Sequence, residues 1–467
     1  MKQTKIIATI GPATESEETL AQLIMAGMNI ARFNTKHGTS EWHREKIIRV
    51  RKVAAELKKP IAVLLDLQGP EIRINLPEEK SFEVKIGEIV YFTSDESSRN
   101  ERTAFIPQQV VDSLPIGSQV ILEDGACEFT IVNKDHATLH AEAIVDCIVK
   151  HRKTMNTPGV VIDMPSLIPA DLEKLEATKD LELDFVGLSF VRNAKDLSIL
   201  RSELDKRNMR AAIVAKIENQ MAVDNLDEII AHSQAIMVAR GDLGVEVPYT
   251  ELIYWQRTII DKCRLAAKPV ITATEMLKSM VEKPRPTRAE VSDVAHAIYD
   301  GTDAIMLSDE TTIGKYPVKA VEIQANIADY NEKYTTLAPL ELKDGSIPEA
   351  IARAAMNLLH TTQLKITKIV CLTETGYTAQ LVSRFRPSQP IMALTSNELT
   401  YRKLAMSFGV QPFIISATPQ ERLNALDTLS DKLQEMGIVE KGETVLVIHG
   451  TLWMQPGLTN TIAVVTV

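Results

Sequence analysis

Lys216 and Glu218, within Ala215-Lys-Ile-Glu-Asn219, and Asp242, within Val238-Ala-Arg-Gly-Asp-Leu-Gly244, each close an apolar, strand-like run on a charged side chain. Glu218 and Asp242 supply the hard oxygens that hold Mg2+, an ion that keeps waters and substrate oxygens in its other positions. In extended backbone Lys216 and Glu218 point the same way, because side chains two apart share a face. Other apolar runs end on polar groups too: Arg32 with Asn34, Asp66, Thr274, and Ser308 with Glu310, while Arg73 lies just past the third run. The arginines are planar forks for phosphate or carboxylate. Two arginines, a lysine and two metal-holding acids match phosphoryl transfer, where catalysis is mostly charge neutralisation and alignment. A single charged residue at a strand end is ordinarily a solvated or capping group. Recurrence on successive strands is what points to an active site.

The elements that must position these groups alternate. Strands are predicted at Lys5–Ile10, Met28–Phe33, Ile61–Leu67, Phe185–Phe190, Ala212–Lys216, Ala235–Arg240, Val270–Thr274 and Ala304–Ser308. Segments with apolar residues at helical spacing lie between them, among them Ser16–Ala26, Ser40–Leu57, Asn193–Leu204, Tyr249–Ala266, Thr287–Tyr299 and Pro317–Tyr330. The pattern is that of an α/β protein built on a (β/α)8 TIM barrel, whose strand ends converge on one mouth. A doubly wound sheet is the alternative arrangement. From Glu71 to about Lys153 the alternation gives way to short strands, such as Glu88–Thr93, Ser118–Leu122 and Glu128–Val132, separated by turns. That interval reads as an inserted small β-barrel, placed where it can act as a lid. After a loose linker at Thr335–Asp344, strands at Ile369–Leu372, Ile391–Leu394, Pro412–Ile415 and Thr444–Ile448 predict a C-terminal α/β domain. The expected division is a catalytic domain at 1–70 and 154–334, a lid at 71–153, and a C-terminal domain at 345–467.

A chain of 467 residues is long enough for two or three domains, and 45% hydrophobic content supplies their cores. Net charge is 52 − 62 = −10, which argues against nucleic acid as a partner. No apolar run is long enough to span a membrane, and the N-terminus reads as a strand without a signal region. Four well-separated cysteines, Cys127, Cys147, Cys263 and Cys371, suggest neither a disulfide framework nor a zinc site. A cytoplasmic location is therefore expected.

Thr9-Ile-Gly-Pro12, Asn29-Ile-Ala-Arg32, Leu65-Asp66, Gly69-Pro-Glu-Ile-Arg73, Lys216-Ile-Glu-Asn219, Met237-Val-Ala-Arg-Gly-Asp-Leu-Gly244, Lys268-Pro-Val-Ile-Thr-Ala-Thr274 and Lys283-Pro-Arg-Pro-Thr-Arg-Ala-Glu290 together resemble the pyruvate kinase family, in order and over nearly the whole chain. The resemblance implies transfer of the phosphoryl group of phosphoenolpyruvate to ADP, giving pyruvate and ATP in glycolysis. It implies a Mg2+ cofactor on Glu218 and Asp242, with Lys216 stabilising the transferring group. Arg32 and Arg73 would clamp phosphates; Gly241, Asp242 and Thr274 would position substrate. Asn34, His37, Arg73 and Lys153 would contact nucleotide. It also implies K+ at Asn34, Asp66 and the Leu67 carbonyl, an effector phosphate loop at Thr373, Thr375, Gly376 and Thr378 taking a sugar phosphate or nucleotide, and a homotetramer. The alternatives are a Mg2+-dependent enolate lyase or aldolase, and a weakened paralogue that binds a sugar phosphate.

The chain departs from the family pattern in places. Asn34-Thr-Lys-His37 stands where the family commonly has Asn-Phe-Ser-His, and that serine binds K+. The Lys36 ammonium is expected to replace the ion, although Glu71, which tends to accompany K+ dependence, is retained. Gln68 stands where lysine is usual. Glu275 and Lys278 are expected to pair with each other across a helical turn. Asp309, in place of a glycine, is expected to add negative charge near the mouth. The later loop Gly450–Asn460 contains Trp453 and lacks the arginine that helps bind fructose bisphosphate in some members.

Overall fold

A computed structural model describes residues 2–98, 100–342, 345–361, 365–416, 425–450, 457 and 459–467. Eight parallel strands close into a barrel: Lys5–Thr9, Ile30–Asn34, Ala62–Asp66, Phe185–Leu188, Ala212–Ile217, Ala235–Ala239, Val270–Ala273 and Ala304–Leu307. Each strand pairs with its neighbours in sequence, and the first also pairs with the eighth, Lys5 opposite Ala304. Such strands are covered on both faces, so they read as continuous apolar runs. One face fills the barrel interior with Ile7, Ile30, Leu64, Val214, Met237 and Met306, interleaved with Ala62, Ala212, Ala235 and Ala304. Small and large side chains alternate to fit the tapering lumen. The other face meets the surrounding helices through Ile6, Ala31, Val63, Ile213 and Val238.

Several helices begin at side-chain caps. Thr39 accepts the Trp42 amide at the start of Ser40–Glu56, and Thr287 forms a capping box with Glu290 ahead of Arg288–Tyr299. Asn219 caps Gln220–Asp224 directly after Glu218, so the fifth strand ends sharply where its charged groups emerge.

The interval after the third strand is a mainly β unit around Val90, Phe92, Phe129 and Leu139, and it also holds one short helix, Gln108–Ser113, where only strands were expected. Its main sheet has six strands, with Thr103–Phe105 at one edge and Met155–Asn156 at the other. The segment Arg73–Asn75 bridges both edges, Asn75 to Phe105 and Arg73 to Thr154, and so closes the sheet into a small barrel. The edge strands Thr103–Phe105 and Met155–Asn156 are too short to announce themselves by alternation in sequence.

The C-terminal region holds a five-stranded sheet in the order Val410–Ile414, Ile391–Thr395, Ile366–Leu372, Thr444–Gly450, Thr459–Thr466. The first four are parallel. The last, absent from the sequence reading, runs antiparallel against Thr444–Gly450. Ala405 and Met406 from this region plug the lower end of the barrel beside Ile7 and Met237. Among the described residues no helix is long and apolar enough to cross a membrane. All four cysteines are free.

Candidate active site

The polar groups of the strand ends meet at one mouth, as the parallel barrel requires. Lys216 is at its centre. Its Nζ donates to Ser189 Oγ at 2.7 Å, pairs with Glu218 Oε1 at 2.8 Å, and faces Asp66 Oδ1 at 3.5 Å. Asp66 also holds Arg32, whose Nε donates to Oδ2 at 2.8 Å, while Arg32 Nη1 donates to Thr9 Oγ1. Burial works against the Lys216 charge, but Asp66 and Glu218 outweigh it and raise the pKa, with Asp242 adding to the effect. Burial likewise opposes the Asp66 charge, yet Lys216 and Arg32 hold that carboxyl below its usual range. The cluster is thus charged, dry and fixed in place. Gly187, opposite Asp66 in the next strand, leaves room for it: a Cβ there would stand 2.8 Å from Asp66 Oδ1.

Glu218 is buried, and its Oε2 accepts the Phe190 amide at 2.6 Å. Asp242 is half-buried in the first turn of Arg240–Glu246. Among the described residues no three His, Cys, Asp or Glu side chains converge on a metal position. Glu218 and Asp242, which both act on the Lys216 charge, offer hard carboxylate oxygens of the kind that fit Mg2+, an ion that takes one or two protein carboxylates and completes its shell with water and phosphate oxygens.

Thr274 follows the seventh strand with φ +70°, a rare conformation for a β-branched residue. Its hydroxyl donates to the Ala273 carbonyl and accepts the Gly241 amide at 2.9 Å. Arg240 braces this turn: Nε donates to the Ala273 carbonyl, Nη2 to the Thr274 carbonyl, and Nη1 pairs with Asp293 at 2.7 Å. Arg240 was visible in the Arg-Gly-Asp motif, but only the fold shows what it supports. Ser189 and the Phe190 amide were also missed. The sole sequence signal for them was a polar residue at the end of the predicted fourth strand.

Glu71, buried, binds Lys36 through Oε1 and Arg73 Nε through Oε2 at 2.8 Å. Arg73 also donates to the Arg152 carbonyl, which ties it to the return from the β insert. The Leu67 carbonyl accepts the Ser189 hydroxyl at 2.7 Å. Asn34 Oδ1 accepts the Lys36 amide, and His37 is exposed at the same turn. Lys153 pairs with Glu123 within the insert at 2.7 Å, away from the Lys216 cluster's bonds. Glu310 is buried and engaged by the Leu277 and Ser308 amides, so it supports the backbone.

Two expectations are corrected. Lys278 pairs with Asp309, not with Glu275, because the eighth strand's end lies beside the Lys278 turn. Asp309 is therefore matched by a cation where extra negative charge was expected. In the C-terminal loop, Thr373 Oγ1 accepts the Gly376 amide and Thr378 Oγ1 bonds Thr459, while Glu374 binds Ser396. These hydroxyls serve the loop's own structure, with Thr375 accepting the Tyr377 amide at 3.5 Å. Trp453 lies outside the described residues.

A closed parallel barrel with a β insert over its mouth, and buried Lys, Arg and carboxylate groups at its strand ends, defines a barrel phosphotransferase. Known proteins make the assignment narrower. The family profile "Pyruvate kinase, barrel domain" matches residues 1–321, and "Pyruvate kinase, alpha/beta domain" matches residues 349–465. The chain is 40% identical over 474 residues to a pyruvate kinase of Bacillus licheniformis, covering 98% of this chain and 80% of the relative. It is 37% identical over 471 residues to that of Staphylococcus aureus (strain MRSA252), with the same coverage. A pyruvate kinase from Cryptosporidium parvum has a similar structure, with a TM-score of 0.89 at 32% identity, covering 100% of this chain and 96% of the other. The chain belongs to the pyruvate kinase family. It is a glycolytic phosphotransferase that acts on phosphoenolpyruvate and ADP.

Proposed function

We propose that the chain moves the phosphoryl group of phosphoenolpyruvate to ADP at the mouth centred on Lys216. The supporting observation is a buried ammonium held between Ser189, Glu218 and Asp66, with Arg32 beside it. Lys216 neutralises charge on the phosphoryl group in transit. Because its partners are fixed in advance, little reorganisation is needed during the transfer. Arg32 and Arg73 bind phosphate oxygens from the second strand and from the root of the β insert. Glu218 and Asp242 would hold Mg2+, which would supply Lewis-acid neutralisation of phosphate and enolate oxygens. The Thr274 hydroxyl lies against the Gly241 amide and positions substrate there, and a water delivers the proton to the enolate, since a hydroxyl is a weak acid. Asn34, His37 and Lys153 contact nucleotide, Lys153 by way of the insert that carries it. The insert at 71–153 closes over the barrel at 1–70 and 154–334, and the 345–467 region forms its own domain.

Lys36 favours a second element of this reading: its ammonium, paired with buried Glu71, takes the place of a monovalent cation. We also infer a homotetramer, supported by the exposed apolar side chains Tyr249, Ile253 and Tyr254. Lys216→Met is the direct test of the reaction. Pyruvate formation from phosphoenolpyruvate and ADP is expected to fall by about 10³-fold in kcat, with phosphoenolpyruvate binding largely kept. A variant within a few-fold of the parent would remove Lys216 from the chemistry.

A further inference from the structure

Two carboxylates outside the mouth chemistry join the insert to the barrel. Asp171, fully buried, lies at the root. Its Oδ1 accepts the Gln68 amide at 2.9 Å, where the chain leaves the barrel. Its Oδ2 accepts the Ile168 amide at 3.0 Å, where the chain returns. Both arms of the insert are thereby held by a single side chain. Between them and the insert, the returning chain at 157–167 forms neither helix nor strand. Such a stretch sets no fixed angle for the insert over the barrel, so contacts beyond the root must do so.

Glu246 supplies one. It ends the helix Arg240–Glu246, four residues after Asp242, so both carboxylates share a face of that helix. Glu246 Oε1 accepts the Asn156 side-chain amide at 2.9 Å, and the Thr157 amide faces the same carboxylate. Asn156 belongs to the edge strand Met155–Asn156 of the insert, paired with Gln119–Leu122. Gln119–Leu122 runs into the turn Glu123–Gly125, which packs against the helix Arg240–Glu246. Glu123, in that turn, holds Lys153 at 2.7 Å. One barrel helix therefore carries Asp242, grips the insert's edge strand through Glu246, and seats the turn that fixes Lys153.

Asp242, Glu246, Asn156 and Thr157 line one cleft of about 260 Å³ between insert and barrel. Burial there opposes the Glu246 charge and raises its pKa, while the Asn156 and Thr157 donors pull the other way. Moving the insert away would strip those donors from a half-buried carboxylate, so the bonds resist that motion. We propose that Glu246 is a positioning residue for the nucleotide half of the reaction. It latches the insert to the Asp242 helix and so sets where Lys153 meets ADP. The latch rests on the proposal above that Lys153 contacts nucleotide. Phosphoenolpyruvate meets Arg32, Lys216 and Thr274 on the barrel itself, none of which touches Glu246. The latch should therefore distinguish the two substrates.

Glu246→Ala is expected to raise the KM for ADP about tenfold, the scale of a hydrogen bond to a charged group. The KM for phosphoenolpyruvate and kcat should stay within about threefold of the parent. Asn156→Ala should act alike, and the double variant should show one tenfold rise rather than the product of two. Glu246→Gln keeps an acceptor for Asn156 and should recover most of the loss. Hydrogen exchange of the ligand-free full chain gives an independent reading. The segment 154–160 should exchange about tenfold faster in Glu246→Ala, with the strands around Phe92 and Phe129 unchanged. Asn156→Ala carries both measurements if Glu246→Ala does not fold. Equal rises in both KM values, multiplied effects in the double variant, or unchanged exchange at 154–160 would overturn the latch. Exchange needs no turnover, so it decides the latch even for a parent that makes no pyruvate, a result that would remove the proposed reaction instead.

Discussion

Glu71 holds Lys36 on one oxygen and Arg73 on the other, so a single buried carboxylate fixes two cations at the edge of the mouth. Lys36 thus has a partner inside the protein and does not swing to solvent. Lys36→Ser removes that ammonium, and the variant's turnover should rise about tenfold on adding K+ while the parent's stays flat. A parent strongly activated by K+ in the same assay would reject the replacement. Lys278 and Asp309 form a similar pair on the opposite side of the barrel. Lys278→Ala should raise the KM for phosphoenolpyruvate by uncovering Asp309, and adding Asp309→Gly should restore it. The pair is half-exposed, so its contribution to stability should stay below about 1 kcal/mol in a double-mutant cycle.

The helix Ser40–Glu56 positions the turn that carries Asn34, Lys36 and His37. His43, in its first turns, donates from Nε2 to the His37 carbonyl at 2.8 Å. Burial pushes the His43 imidazole down to about 4, against an ordinary value of 6.5. Between those values the unfolded chain binds a proton that the folded chain refuses, so stability falls as pH drops from about 6.5 towards 4. The full loss is about 3 kcal/mol. Denaturant midpoints measured across that range should show the slope in the parent and lose most of it in His43→Gln; equal slopes would place the effect elsewhere. The barrel strands were legible to within about two residues, because burial on both faces leaves uninterrupted apolar runs ending on polar groups. The short insert strands at Thr103–Phe105 and Met155–Asn156 were not, since two or three residues carry no periodic signal.

At the scale of the molecule, two acids at the lower ends of barrel strands bind the C-terminal region. Asp184 takes Arg402 at 2.8 Å while its other oxygen accepts the Val63 amide and pairs with Arg51. Asp303 takes Arg386 and the Phe408 amide in the same manner, and its Oδ2 accepts the Val270 amide. Val63 lies in the strand that ends at Asp66, and Val270 in the strand that leads to Thr274. The clamps therefore reach the same strands that serve the mouth. Asp184→Ala leaves Arg402 and Arg51 without their buried partner and should cost about 3–5 kcal/mol of unfolding free energy. A loss under 1 kcal/mol in chemical denaturation would show that the clamp contributes little.

Sequence alone determined the alternating architecture, the insert and the family, and it singled out Arg32, Asp66, Lys216, Glu218 and Asp242 as candidates, because strand-end chemistry and local motifs are written in consecutive residues. Tertiary structure decided who pairs with whom. Lys36 with Glu71, Lys278 with Asp309, Lys216 with Ser189 and Arg386 with Asp303 join residues from 27 to 83 positions apart. No local pattern encodes such contacts, since they arise only when the barrel closes and the C-terminal sheet seats beneath it.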